Sequence, residues 1–156
     1  MTIEKINLAL SMMQESKEII STTGGVSDNL ISEAEARLDI RFPEDYKYFL
    51  KKFGTLSFYG ERFYGLTQFG LNAGAIPCVI FATESARELG DISQSMVYVK
   101  SSGYGPLFSM DLSGANSVFP VVETSLSYKR DKEVSIVAES FGDFFYNEIK
   151  DAIEDL

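Results

Sequence analysis

An α+β fold, in which helices flank a mainly antiparallel sheet, is predicted by three features of this sequence. The first third repeats apolar residues at three- and four-residue spacing, the period of a helix with one buried face. The middle breaks into short runs rich in Tyr and Phe, divided by glycines and polar turns, which is the texture of strands. The end returns to helical spacing behind a serine start. With 156 residues, 45% hydrophobic and 13% aromatic, the chain has enough apolar area to offset the entropy of ordering a core, so residues 1–156 read as a single domain.

The first helix is expected over residues 3–20, its stripe being Ile3, Ile6, Leu10, Met13, the stem of Lys17 and Ile20, with Thr23-Gly24-Gly25 as its stop. Ser27 is placed to cap a second helix, its hydroxyl oxygen accepting from a first-turn amide, and Ile31, Ala34 and Leu38 form the buried stripe. Pro43 suits the first position of a third helix, because its φ is already helical and it has no amide to leave unpaired. Tyr46, Phe49, Leu50 and Phe53 make the apolar face. Glu44 and Asp45 lie at the positive end of the helix dipole, Lys51 and Lys52 at the negative end, and Gly54 terminates it.

Residues 56–59 and 62–66 then read as strands, with Gly60, Gly65 and Gly70 as turns. Pro77 is placed to open a helix over 77–89 that Gly90 stops; the apolar run 78–81 also fits a buried strand, and helix is the preferred reading. Four more strands are expected at 96–100, 106–112, 118–122 and 134–138, the last preceded by the charged link 129–133. Short connections favour antiparallel pairing. Ser140 with Asp143 resembles a capping box for a last helix reaching Ala152 or Ile153, with Phe141, Phe144, Phe145, Ile149 and Ile153 inward.

Charge and residue types narrow the function. A net charge of −9 repels phosphate backbones and anionic lipid, so neither direct nucleic-acid binding nor membrane association is expected. Residues 1–54, 55–138 and 139–156 carry −2, −2 and −5, which concentrates acidity at the C-terminal end. Cys78 is the single cysteine, the opening residues lack a basic start before an apolar block, and no apolar run is long enough to cross a bilayer, so a cytoplasmic location is expected.

Histidine is absent, which removes the usual general acid–base near neutral pH, the commonest metal ligand and every Ser–His or Cys–His nucleophile. Cys78 sits in an apolar run without a second thiol and reads as core packing. Asp111 and Glu123, on neighbouring predicted strands, are the carboxylate pair to weigh as acid and base, against the plainer reading as solvated strand ends. The loop Ser101-Ser102-Gly103-Tyr104-Gly105-Pro106 lacks both nucleotide-loop fingerprints and reads as a strand-to-strand turn. No catalytic residue, cofactor or metal is expected. Tyr59, Tyr64 and Tyr104 fall in or beside glycine turns, where tyrosine supplies either stiff interface area or satellite core packing.

The positions Glu35, Leu38, Phe42, Pro43, Asp45, Tyr46, Lys47, Phe49, Leu50 and Gly54 resemble the N-terminal signature of the SUKH superfamily, also called Smi/Knr-like. The strand Pro106-Leu107-Phe108-Ser109-Met110-Asp111 and the closing Ser140-Phe141-Gly142-Asp143-Phe144-Phe145 extend the likeness over residues 27–150. The chain departs from many members in reading Gly54-Thr55-Leu56 after the third helix and in lacking Trp. The resemblance implies a bent central sheet flanked by helices, and a binding protein without catalysis. In bacteria it implies an immunity protein that neutralises a cognate toxin of a polymorphic or contact-dependent system; eukaryotic relatives imply the alternative, a scaffold or regulator of the cell-wall type with no toxin partner. The resemblance also implies a nuclease as a toxin class, since many such toxins are basic nucleases, and opposite charge would speed their association with an acidic chain. The expected binding face combines Tyr59, Tyr64 and Tyr104 with Glu61, Asp111 and Glu123, on a monomer or weak homodimer.

Overall fold

The computed structural model describes residues 2–75, 77–114 and 119–156. In chain order it comprises α1 (Thr2–Ser16), β1 (Ile20–Thr22), α2 (Asp28–Leu38), α3 (Glu44–Phe53), β2 (Leu56–Phe58), β3 (Glu61–Phe63), α4 (Val79–Leu89), β4 (Met96–Ser101), β5 (Leu107–Asp111), β6 (Val121–Thr124), α5 (Tyr128–Asp131), β7 (Ser135–Ala138) and α6 (Phe141–Glu154), with one 3-10 turn at Gly70–Asn72. The α+β architecture is as expected, and every strand pairing is antiparallel.

The expectation of one central bent sheet is corrected: there are two sheets, β1-β2-β3 and β4-β5-β6-β7. They meet where Tyr64 N donates to Val99 O at 2.8 Å. The pairing goes no further, because Gly65 N donates to Pro77 O and Leu66 N to Gly54 O, while β4 is irregular between Tyr98 and Lys100, with Val99 as the additional residue.

The helix expected over 3–20 ends at Ser16. Lys17 has φ 65°, which a helix does not tolerate, and the residues after it favour extended backbone, so Ile20–Thr22 pairs with β2 instead. Its buried residues are Ile6, Ala9 and Met13, a narrower stripe than the one expected, and Lys17 lies exposed outside it. Ser27 caps α2 as expected, its Oγ accepting from Leu30 N at 3.2 Å. Pro43 sits one position outside α3, with ψ 154°, while its carbonyl already accepts from Lys47 N at 3.0 Å.

The run 78–81 is resolved in favour of helix: α4 starts at Val79, and Gly90 stops it with φ 78°. Buried, unpaired Cys78 contributes an isolated parallel bridge to Gly65. Strand 62–66 shortens to Glu61–Phe63, 118–122 shifts to Val121–Thr124 with residue 118 outside the described residues, and the link 129–133 contains the helical turn α5. Ser140 caps α6, its Oγ accepting from Asp143 N at 3.1 Å, and of the predicted inward set only Ile153 stays half-exposed.

The core forms around α3. Tyr46, fully buried, donates its hydroxyl to Tyr64 O at 2.8 Å, and its ring meets Phe42, Phe49 and Phe141 at centroid distances of 5.1, 5.8 and 4.9 Å. Phe145 packs on Phe49 and Phe63, so α3, α6 and the first sheet share one aromatic cluster. Strands β4 to β6 of the four-stranded sheet are covered on both faces. Phe108 meets Phe144 of α6 at 5.3 Å on one side; on the other, Met96, Leu107 and Val122 pack with Ala86 of α4 and Tyr128 of α5.

Candidate binding surface

Two turns project from one end of the molecule. The β2–β3 hairpin turns through Tyr59 and Gly60, with φ 46° and 83°, a pair of left-handed residues whose twist matches the strands they join. The first of these positions suits Asn, Asp or Gly, yet here it holds a tyrosine whose side chain is not packed away, since the residue is 53% exposed. The β4–β5 turn carries Tyr104, 77% exposed. Its amides are used within the turn: Gly103 N donates to Ser101 Oγ, Tyr104 N to Ser102 Oγ and Ser102 N to Pro106 O, so they are not arrayed to receive a phosphate.

Lys100 fastens the two turns together. It is buried in the bulge of β4, with its Nζ 2.9 Å from Glu61 of β3 and 3.0 Å from Glu148 of α6. The ammonium also lies over the rings of Phe63 and Phe108 at 5.8 and 5.7 Å. Burial alone lowers the pKa of a lysine, but the two carboxylates outweigh it and hold this one above its ordinary value. Glu61, predicted as a partner contact, is therefore occupied inside the protein.

The other predicted residues do not all converge. Tyr64 is corrected from exposed anchor to internal strut: it is 3% exposed, its carbonyl accepts from Tyr46, and its ring stands edge-on to Tyr98 at 5.2 Å. Burial pushes its phenol far above the ordinary range. Asp111 sits at the opposite end of β5 from the Tyr104 turn and accepts from Ser113 N and Oγ at 3.1 and 2.6 Å. Glu123 pairs with Phe108, three residues from Asp111, and an odd separation along a strand puts the two carboxylates on opposite faces of the sheet. They do not face one another across a site.

At the Asp111 end of that sheet lies a groove of about 990 Å³, lined by residues that include Phe42, Pro43, Phe119, Pro120, Ile136 and Glu139. Asp45 of α3 borders it; its Oδ2 accepts from Gly142 N at 2.9 Å and its Oδ1 from Tyr46 N at 2.8 Å, so a buried carboxylate supplements the cap of α6. Burial raises its pKa, and the two amide bonds counter part of that rise. Sequence reasoning missed Lys100, Glu148 and the capping role of Asp45. The bulge hides which way Lys100 points, and the partners of all three come from distant segments. Among the described residues no His, Cys, Asp or Glu cluster is arranged to hold a metal, and no helix is long and apolar enough to cross a membrane.

Residues 28–145 match the SUKH_6 family, described as SMI1-KNR4 cell-wall. The chain belongs to this family. The resemblance carried by the Glu35-to-Gly54 block is thereby shown, and the SUKH_6 match runs from the first residue of α2 to Phe145 in α6. Helix α1 lies outside the matched span yet packs along α6, on matched and unmatched residues alike: a Cβ on Gly142 would stand 2.2 Å from Thr2 O, and Lys5 Nζ lies 4.5 Å above the Tyr146 ring.

Proposed function

We propose that this chain is an immunity protein, a single SUKH-like domain over residues 1–156 that binds and neutralises a cognate protein toxin in the cytoplasm, acting as a monomer or weak homodimer and without catalysis of its own. Tyr59 carries the reading. A bulky residue at positive φ costs about 1–2 kcal/mol, and an exposed ring returns little of that as packing, so its return lies in contact with another molecule. Tyr104, on the turn fastened beside it through Lys100, supplies a second aromatic anchor of the type that dominates protein interfaces. The net charge of −9 favours a basic toxin, and nucleases are the toxin class that fits.

A toxin reading frame next to the gene for this chain would favour this reading and supply its test, and the lack of one would favour the second reading below. Cells producing that toxin are expected to grow only when this chain is co-expressed, and Tyr59→Ala with Tyr104→Ala is expected to weaken the complex about tenfold or more while the fold is retained. Lack of protection favours the second reading, a scaffold or regulator without a toxin partner, which the cell-wall description of the family supports.

A further inference from the structure

Among the described residues, the outer strand of the four-stranded sheet carries an apolar edge with no strand beyond it. β7 ends the ladder, and Val134, Ile136 and Val137 are all exposed, Ile136 at 68%. The other edges differ: β3 and β4 shield each other at the Tyr64–Val99 bond, and β1 is a three-residue strand that is mainly polar. Beside β7 runs the groove lined by Phe42, Pro43, Phe119, Pro120 and Ile136. Its rim carries Glu44, Glu139 and Asp143, while one of its two cations, Lys47, lies 3.8 Å from Glu35 and 3.6 Å from Glu44.

We propose that this edge and groove form a docking site for an extended segment of a partner protein that carries apolar residues flanked by Lys or Arg. Pairing along β7 would satisfy the open main-chain groups of the edge, an apolar side chain would fill the groove over Phe119 and Ile136, and the cations would meet Glu139 and Asp143. The bulge opposite Val121 and Val122 limits how far regular pairing extends, so the groove supplies much of the contact. A second copy of this chain fits less well, because it brings −9 against −9 with the same acidic rim. The groove lies at the opposite end of the sheet from the Tyr104 turn, and β7 runs towards it from the row of Glu123 and Phe108. It rests on this chain being a protein-binding module, whether or not its partner is a toxin.

The test is a nuclear magnetic resonance titration of the full chain with a short peptide of Val residues flanked by Lys, beside a Glu–Val control of the same pattern and a dilution series without peptide. The expected result is saturable shifts confined to the groove lining and β7, at residues 41–42, 44–45, 119, 134–140 and 143, with the Lys–Val peptide alone. Ile136→Asp should weaken binding about tenfold, and Glu139→Gln should weaken it severalfold with unchanged circular dichroism. No shifts, shifts spread over other acidic surfaces, or an equal response to the Glu–Val peptide overturn the proposal. Shifts of these same amides on concentration alone, with a dimer in sedimentation, overturn it in favour of self-association. If a toxin captured in the co-expression test binds Ile136→Asp as tightly as the parent chain, the docking site fails while the immunity reading stands.

Discussion

At the residue scale, Tyr59 separates stability from binding. Asn at that position adopts the left-handed conformation at lower cost, so Tyr59→Asn is expected to raise folding stability by about 1 kcal/mol in urea unfolding while weakening partner binding. A loss of stability would show that the ring is packed in a way its exposure does not reveal. Asp45 offers a second check. Its pKa in the fold lies above the ordinary aspartate value, so the folded state holds the proton more tightly than the unfolded chain does. The Asp45 contribution is therefore fully present below the unfolded pKa and declines as pH rises through the folded one. Unfolding measured across the mildly acidic range is expected to show this falling component in the parent chain and its absence in Asp45→Asn. Asp45→Ala, which strands the amides of Tyr46 and Gly142, should cost about 1–3 kcal/mol.

At the element scale, the joint between the two sheets and α6 depends on Lys100. Lys100→Ala leaves Glu61 and Glu148 facing each other without their cation and is expected to cost about 3 kcal/mol, at the lower end for a buried pair because both carboxylates keep some contact with water. Adding Glu61→Gln and Glu148→Gln should recover much of that loss in the same unfolding measurement. Since the folded pKa of Lys100 is raised, its contribution is complete below the unfolded lysine pKa and disappears as pH rises through the folded value, an alkaline effect only. Helix α1 meets α6 through Gly142, and Gly142→Ala is expected to push Thr2 away and destabilise the fold by about 1–3 kcal/mol; a shift in α1 amide resonances would locate the change.

At the scale of the whole molecule, net charge governs encounter more than affinity. The association rate with a basic partner should fall severalfold as ionic strength rises from low to physiological, with a smaller change in dissociation rate, measurable by stopped-flow mixing. A rate insensitive to salt would place the interface away from the acidic surface.

Elements whose signals are local were legible in the residues alone. The Ser27 and Ser140 caps, the Pro43 entry to α3, the Gly54 and Gly90 stops and the apolar faces of α2 and α3 depend on neighbours within a turn or two, so spacing and side-chain chemistry reveal them. The division into two sheets, the burial of Tyr64 and the engagement of Glu61 by Lys100 depend on contacts between distant segments. A single bulge at Val99 sets which face Lys100 takes, and alternation cannot foretell a bulge. Composition and local pattern thus determined the α+β class, the caps of α2 and α6, the glycine stops of α3 and α4 and the acidic character. Tertiary packing alone decided which tyrosines reach solvent, because burial is a property of what other segments bring against a side chain.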